Sequence, residues 1–405
     1  VADPFGKPII EFNGQADSFY LDGKEVGHVK LDANANTSTG IVSFNGTGSG
    51  EKNDFNVNGN INYKDSTGAQ TDIVFKANKF DLNILEPYMN TVFSQVNGIA
   101  SGDIRLYNDK KNMYITGPAR ISNGSMTVAY TKCKYLFNDQ QVNFGKDLIE
   151  LKTIRIKDTL GNEGTVNGKI HHRFFRDFNF EGVRVETQKM LVLNTTRADN
   201  SQYYGKVIGS ALMTLDGPTT DMYMNISGQP SLFDTSHVYL LTGDGKESNK
   251  VDYIDFIKFG NEMNDTKSGQ ASNLTVNLNL VANDQCKIDV ILDEETGDII
   301  KGEGNGRLNI VYSTGQKLFM RGKYELTKGE YTFNFQTVTK KPFELRPGGS
   351  ITWNGDPYEA SIDIEASYLA KNVDVSTLSA AASYRLKEDV NIISHLTGSL
   401  KKPDI

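Results

Sequence analysis

Apolar and polar residues alternate along most of the chain with a period of two. In the segment 307–312, the apolar residues Leu308, Ile310 and Tyr312 occupy every second position. Successive side chains of a β-strand point to opposite faces of the sheet, so these three side chains share one face. The same alternation continues over six consecutive segments that end near Tyr368. The pattern predicts an antiparallel β-meander with one apolar face and one polar face.

A second stretch of the chain repeats this pattern. The segment that begins at Gly98 aligns with the segment that begins at Gly302, and Gly117 aligns with Gly322, so the offset is 204 to 205 residues. A constant offset over several motifs predicts an internal repeat. Pairs of glycines four positions apart recur in both stretches. Because the surrounding sequence alternates like strands, these glycines predict tight turns and strand starts rather than helix packing in a membrane.

One segment follows a helical period instead. Six apolar residues recur between Asp81 and Gly98 at the spacing of an amphipathic helix. They are Leu82, Leu85, Met89, Val92, Phe93 and Val96. Pro87 lies inside this pattern, and proline is tolerated in the first turn of a helix, so the helix begins either after Asp81 or at 86–87. A weaker pattern predicts a second short helix over 251–259.

These patterns divide the chain into four segments. Residues 1–80 form a β-rich repeat segment, and residues 81–230 form a β-trough module that begins with the helix. Residues 231–300 form a connecting segment with the second short helix, and residues 301–405 form a C-terminal β-trough module. The chain begins and ends within such patterns, so we expect it to be a piece of a longer protein.

The net charge and the cysteine content argue against several classes of function. The formal net charge of −7 argues against a nucleic-acid partner, whose phosphates require clustered Lys and Arg. No run of about 18 apolar residues marks a membrane span. Neither Cys133 nor Cys286 belongs to a Cys-x-x-Cys pair, which argues against zinc and thioredoxin-type chemistry. We expect two unpaired thiols in different modules.

No pattern in the sequence predicts catalysis, a metal site or a cofactor. The five histidines are scattered, and the adjacent His171 and His172 face opposite sides of a strand. The motif Asp32-x-Asn34-x-Asn36 is similar to the start of a calcium loop, but the glycine at position 6 and the glutamate at position 12 of such loops are missing. We therefore expect a protein that is not an enzyme.

An apolar face this long has to be covered. The sheet can fold on itself around a dry core, or it can curl into a trough whose interior a ligand fills. The C-terminal stripe is rich in Phe, Tyr and Met, which is compatible with a pliable ligand surface and also with an ordinary β core. The candidates for lining a groove are Leu308, Ile310, Met320, Tyr324, Leu326, Phe333, Phe335, Ile351, Trp353, Ile362 and Ile364.

Three sequence motifs, in this order, resemble those of a known family. They read DEETGDIIKGEGNGRLNI at 293–310, GKYELTKGEYTF at 322–333 and FELRPGGSITWNGDPYEA at 343–360. The set resembles the C-terminal region of the TamB (translocation and assembly module) family, in the form found in Bacteroidetes-type bacteria. This family is grouped with the AsmA-like and bridge-like lipid-transfer proteins. The resemblance is good over 200–400 and looser over 80–200.

The resemblance implies both a fold and a function. The fold is an elongated antiparallel β-sheet, curled into a taco-like trough with an apolar interior that binds phospholipid acyl chains. Such proteins are anchored in the inner membrane by an N-terminal helix, which lies outside this chain, and cross the periplasm to an outer-membrane barrel of the TamA type. The implied function is transfer of phospholipid between the two membranes in support of outer-membrane biogenesis. The alternatives are assembly of outer-membrane proteins with that barrel, or a structural or adhesive β-solenoid.

Overall fold

The computed structural model describes residues 6–65, 70–86, 93–109, 112–173, 177–200, 203–241, 273–293, 297–335, 339–375, 387–400 and 402–404. Within these ranges the protein is all-β, as predicted, with twenty-four strands and two 3-10 helices. Contacts between residues divide the chain into two compact units. Unit 1 comprises Val1–Met190, Leu212–Met224 and Phe256–Asn273, and unit 2 comprises Leu191–Ala211, Asn225–Asp255 and Leu274–Ile405. The four-segment division stays a prediction.

Unit 1 contains eleven complete strands within the described residues. Their bounds are β1 (Ile9–Leu21), β2 (Lys24–Asn36), β3 (Ile41–Ser49), β4 (Asp54–Asn62), β5 (Gln70–Asp81), β6 (Phe93–Asp109), β7 (Asn112–Val128), β8 (Lys134–Phe137), β9 (Gln140–Phe144), β10 (Leu148–Asp158) and β11 (Glu163–His171). Strands β1 to β7 pair in chain order and antiparallel. The short strands β8 and β9 both lie between β7 and β10, and β10 then pairs with β11. Unit 1 is therefore an antiparallel meander.

Three strands have several residues in each of the two units. They are β12 (Asn179–Thr195), β13 (Tyr203–Pro218) and β14 (Asp221–Pro230). Ten further strands form the C-terminal part of the chain within the described residues. Their bounds are β15 (Ser236–Leu241), β16 (Asn273–Ala282), β17 (Cys286–Asp293), β18 (Asp298–Ser313), β19 (Phe319–Phe335), β20 (Thr339–Leu345), β21 (Ser350–Gly355), β22 (Ser361–Asp374), β23 (Lys387–Ser399) and β24 (Lys402–Asp404).

Strands β18 and β19 form the centre of unit 2. Strands β17 and β16 pair with successive parts of β18, and β20 and β21 pair with successive parts of β19. Strand β22 pairs with β20 and β21, and β23 and β24 follow, all antiparallel. Strand β15 is the exception among the described pairings, because Ser236–Leu241 runs parallel to residues 286–291 of β17.

The predicted helix that ends near Val96 is only partly present. Leu82–Leu85 form a 3-10 helix that begins after Asp81, whose carboxylate accepts a hydrogen bond from the backbone N–H of Asn83 at 3.0 Å. Val96, however, lies in β6, so the prediction that the helix continues to this residue is wrong. Pairing of β6 with β7, which matches Phe93 with Val128, outweighs the local helical spacing. Residues 87–92 and the second predicted helix at 251–259 lie outside the described residues.

The core of unit 2 is one cluster of buried apolar side chains. Strands β16 to β23 contribute most of its members, and the turn before β22 and the residue directly after β23 contribute the rest. The cluster comprises Ala282, Val290, Ile300, Leu308, Met320, Tyr324, Leu326, Tyr331, Leu345, Ile351, Trp353, Ala360, Ile362, Ile364, Ala366, Leu396 and Leu400. Burial of this much apolar surface is the main stabilising term for the unit.

Glycines let neighbouring strands approach closely in both units. Gly322 has a φ of +135°, and a Cβ there would lie 2.1 Å from the carbonyl oxygen of Arg307. Gly117, which aligns with Gly322 in sequence, has a φ of +131°, and its Cβ would lie 2.1 Å from the carbonyl oxygen of Asp103. The aligned glycines therefore share a backbone conformation and a kind of neighbour that only a residue without a Cβ accommodates.

The Gly-x-x-x-Gly pairs do not mark turns. Gly302, Gly304 and Gly306 all lie within β18, and β18 changes register with β19 between 303 and 304. The expectation of turns and strand starts at these positions is wrong. Close approach of two backbones, rather than a change of chain direction, requires glycine here.

Gly304 and Gly228 form a matched pair for testing this close approach. Neither has a left-handed φ, but a Cβ at 304 would lie 2.1 Å from the carbonyl oxygen of Glu325, whereas the nearest atom at 228 is 3.4 Å away. We expect Gly304→Ala to lower the free energy of unfolding by about 1–3 kcal/mol. Gly228→Ala should change it by less than about 1 kcal/mol. Urea denaturation measures both, and equal effects would contradict the role assigned to Gly304.

The two cysteines are free and buried, Cys133 in unit 1 and Cys286 in unit 2. Burial raises the pKa of Cys286 to about 11 and also raises the pKa of Cys133. At pH 8 both thiols should therefore react slowly with N-ethylmaleimide in the native chain and fast in denaturant. Intact-mass analysis counts the adducts, with Thr314→Cys, at an exposed position, as the reactive control. A mass showing a disulfide between the two cysteines would contradict the prediction.

Candidate functional site

The candidates predicted from the sequence come together on four neighbouring strands of unit 2. Strand β18 carries Leu308 and Ile310, β19 carries Met320, Tyr324 and Leu326, β21 carries Ile351 and Trp353, and β22 carries Ile362 and Ile364. The pairing places them in rows across the sheet: Ile310 lies opposite Met320, and Tyr324, Ile351 and Ile362 are consecutive partners. The remaining two, Phe333 and Phe335, lie on β19, and their side chains lie outside the described residues.

These side chains are packed against one another. Tyr324 is 1% exposed and Ile364 is fully buried, while Ile310 is half-buried at the margin of the cluster. Burial falls along β18, from Leu308 at 5% exposed to Tyr312 at 41%. The indole N–H of Trp353 donates to the carbonyl oxygen of Pro357 at 3.2 Å. The stripe is therefore a closed apolar cluster, and its role in lipid binding stays a prediction.

Tyr324 places one polar atom inside this cluster. Its hydroxyl has no hydrogen-bond partner among the described residues. Burial raises the pKa of Tyr324 well above its usual range. A buried hydroxyl without a partner is costly, so this oxygen is the one position in the stripe where a polar ligand atom would be stabilised.

A second apolar face lies on strands β2 to β7 of unit 1. Three rows of paired residues cross these strands, and we call them together the unit 1 apolar face. None of the three rows contains a polar side chain. The rows are Leu31, Gly46, Val57, Phe75 and Ile104; Ala33, Phe44, Gly59, Ile73, Leu106 and Ile115; and Val29, Gly48, Phe55, Ala77, Gly102 and Ala119.

The unit 1 apolar face is much more open than the cluster in unit 2. Val57, Phe75 and Ile104 are half-buried, and both chain neighbours of Val57 and of Ile104 are exposed. Exposure is highest toward the first strand, where Phe12 is 54% exposed, and lowest on β7, where Ile115 is 7% exposed. This face therefore presents apolar side chains that a ligand can reach without displacing a packed core.

Aromatic rings and glycines determine the shape of the unit 1 apolar face. The rings of Phe55 and Phe75 lie 5.0 Å apart, and Phe80 packs at 6.2 and 5.5 Å from them. Gly48 lies beside the ring of Phe55, which occupies the space that a side chain would take. The ring of Phe55 therefore lies flat over the adjacent strand, in the space that the glycine leaves.

Sequence reasoning missed this face, although its signal was present. Phe55, Val57 and Ile61 alternate with asparagines in β4 as regularly as the residues of β18 alternate. The segment is rich in Asn and Gly rather than in long apolar runs, so it did not stand out. Only the register shows that its apolar residues continue onto five neighbouring strands.

The opposite face of unit 1 is polar and carries a fixed ion pair. The guanidinium of Arg105 donates two hydrogen bonds of 2.8 Å to the carboxylate of Asp72. These hydrogen bonds lower the pKa of Asp72. In the described part of the chain, no group of three or more His, Cys, Asp or Glu side chains could hold a metal ion. In the same residues no helix is long and apolar enough to cross a bilayer.

Two tyrosines of unit 2 test the cost of the unpartnered hydroxyl. Tyr324→Phe should leave the free energy of unfolding unchanged or raise it by about 1 kcal/mol, because it removes a buried oxygen that has no hydrogen bond. Tyr239→Phe should lower it by about 1 kcal/mol, since the hydroxyl of Tyr239 bonds to Nδ1 of His237 at 3.3 Å. Thermal denaturation at pH 7 measures both. A loss of stability in Tyr324→Phe would show that its hydroxyl has a partner.

Comparison with known proteins identifies the family. The family model of the TamB C-terminal domain matches residues 152–405. No curated protein and no solved structure matches the chain. The matched residues include unit 2's central strands β18 and β19 and make up more than half of the chain. The protein therefore belongs to the TamB family, which acts in outer-membrane biogenesis and spans the periplasm of the cell envelope.

Proposed function

We propose that this chain is a non-enzymatic part of a bridge that carries phospholipid between the inner and outer membranes, with the acyl chains lying against the apolar face of its sheet. The observation that carries the proposal is the unit 1 apolar face, with its three rows free of polar side chains. The inner-membrane anchor lies outside this chain in the proposal, and the outer-membrane partner is a barrel of the TamA type.

An open apolar face of this size requires an occupant. Each Å² of apolar surface left in water costs about 25 cal/mol. Soluble proteins rarely leave contiguous apolar patches larger than a few hundred Å² uncovered unless the patch binds something. The half-buried side chains of Phe44, Phe75 and Leu106 belong to one such patch. An acyl chain covers it without any polar group to satisfy.

The direction of the rows suits a ligand that moves along the sheet. Each row runs from strand to strand, and consecutive strands are about 4.8 Å apart. An acyl chain between the row of Val57 and Phe75 and the row of Phe44 and Ile73 meets no charge or amide from β2 to β6. A charge in that path would be expensive to bury against hydrocarbon. The lack of a polar barrier is what a conduit needs.

The apolar stripe in unit 2 differs from the unit 1 apolar face because it is closed to a ligand. Its side chains are closed over one another, so a lipid enters only if the cluster opens. Ile310, at the half-buried margin, is where we expect such a contact to begin, and the unpartnered hydroxyl of Tyr324 is reached only after the cluster opens. The alternative is that the stripe is a sealed core, in which case Ile310→Asp would unfold unit 2 without any separate effect on lipid.

Residues 74 and 75 allow a matched test of the unit 1 apolar face. Phe75 lies on this face and Val74 lies on the polar face of the same strand. We expect Phe75→Asp to reduce co-purifying phospholipid several-fold, because a carboxylate meets the acyl chain. Val74→Asp should leave it unchanged. Mass spectrometry of the purified chains measures the lipid, and the melting transition reports folding.

A photo-crosslinking experiment distinguishes loss of lipid binding from unfolding of the protein. A benzophenone amino acid at position 75 should crosslink to phospholipid in the folded protein, and the same group at position 74 should not. Equal crosslinking at both positions, or lipid retained in full by Phe75→Asp, contradicts the proposed path. Early melting of Phe75→Asp together with no crosslink at position 75 would assign this face to a sealed core.

A further inference from the structure

The polar face of strands β1 to β5 is a ladder of asparagines and carboxylates. Asn13, Asp32, Asn45 and Asn58 are consecutive partners on β1, β2, β3 and β4. A parallel row beside them runs through Glu11, Asn34, Ser43, Asn60 and Asp72. At about 4.8 Å per strand, the first row is about 14 Å long.

This ladder lines a shallow concavity that is largely open to solvent. The concavity has a volume of about 960 Å³, and its walls include all nine residues of the two rows. Among the described residues, no hydrogen bond or ion pair uses the side chains of Asn13, Asp32, Asn45 or Asn58. Their amides and carboxylate are exposed and therefore free for a ligand.

A ladder of the same composition in unit 2 behaves differently. There the side-chain amide of Asn309 donates to Asn277 at 2.7 Å and to Asn279 at 3.0 Å, and Asn277 donates to Asn225 at 3.4 Å. Those amides satisfy one another. The lack of protein partners for the side chains of the unit 1 ladder is thus not a general consequence of asparagines on a sheet.

The charge of the concavity excludes an anionic ligand. Its lining holds three carboxylates, Glu11, Asp32 and Asp72, and one guanidinium, Arg105, which is already paired with Asp72. A phosphate-rich polymer or an anionic headgroup would be repelled by the two unpaired carboxylates. A neutral ligand with many hydroxyl and amide groups complements the surface, because each asparagine amide both donates and accepts hydrogen bonds.

Aromatic rings continue one row of the ladder. Asp72 pairs with Tyr107, and Tyr107 pairs with Tyr114, with ring centroids 5.6 Å apart. The guanidinium of Arg105 lies 4.9 Å from the centroid of the Tyr107 ring. The half-buried ring of Tyr107 lies two strands beyond Asn60 in this row and offers an apolar body and a polar tip at the end of the ladder.

We propose that this concavity binds a neutral glycan chain with N-acetyl groups. Its hydroxyl and acetamido groups would hydrogen-bond to the amides of Asn13, Asn45 and Asn58, and the apolar faces of its sugar rings would pack on Tyr107. The periplasmic location of the family places the chain among such polymers. The site lies on the face opposite the unit 1 apolar face, so it does not depend on the proposed lipid path.

The test uses the purified full chain and tetra-N-acetylchitotetraose. Isothermal titration should show saturable binding, and Asn45→Ala/Asn58→Ala should weaken it at least about tenfold, which corresponds to about 1.4 kcal/mol. The matched control is Asn277→Ala/Asn309→Ala, which removes two asparagines of the paired ladder in unit 2 and should leave the affinity unchanged. Asn45 and Asn58 are exposed and Asn277 and Asn309 are half-buried, so a melting curve checks that each variant folds.

Three outcomes would overturn the proposal. The first is no binding of the tetrasaccharide to the unaltered chain. The second is an equal loss of affinity in the two double variants. The third is tighter binding of an anionic polysaccharide such as heparin than of the neutral tetrasaccharide, since the unpaired carboxylates should repel it. Sedimentation with colloidal chitin, an uncharged polymer of N-acetylglucosamine, extends the test to a polymer, where Asn45→Ala/Asn58→Ala should again reduce the bound fraction.

Discussion

Hydrogen bonding between neighbouring strands sets the register of the sheet, and the register decides which side chains share a face. A shift of one residue would move every apolar side chain to the polar side. In β4 such a shift would exchange Phe55 and Val57 for asparagines. The core of unit 2, the unit 1 apolar face and the asparagine ladder all depend on this one constraint. Each exists only because several neighbouring strands pair in a register that places their apolar residues on the same face.

The same alternation of apolar and polar residues produces a closed core in unit 2 and an open apolar face in unit 1. In unit 2, successive strands bring Tyr324, Ile351 and Ile362 into a closed cluster, where side chains cover one another. In unit 1, rows of equal apolar character are interrupted by glycine and alanine, and Val57 and Phe75 stay half-exposed. Unit 2 also carries small residues in its rows, since Gly322 lies between Leu308 and Trp353. Neither the hydrophobic pattern nor the presence of small residues therefore distinguishes the closed cluster from the open face.

Period-two alternation was sufficient to predict the all-β class and the shared face of Leu308 and Met320. Local spacing was not sufficient near Val96, where pairing with β7 overrode a helical pattern. The parallel pairing of β15 with β17 also has no local signal, because it joins residues far apart in sequence. The degree of burial was least predictable: Phe75 and Tyr324 look alike in sequence, and only long-range contacts make one half-buried and the other 1% exposed.

The parallel pairing of β15 with β17 also constrains how unit 2 is built. Antiparallel neighbours such as β18 and β19 can form as soon as their hairpin exists, whereas β15 must wait until the chain beyond β16 is available. Pairing between distant segments is slow, since a long loop has to close first. During that wait the edge of β15 that later meets β17 is open, and open edges recruit other chains. We therefore expect Ser236–Leu241 to be a site of aggregation during folding, because this edge stays open until β17 pairs with it.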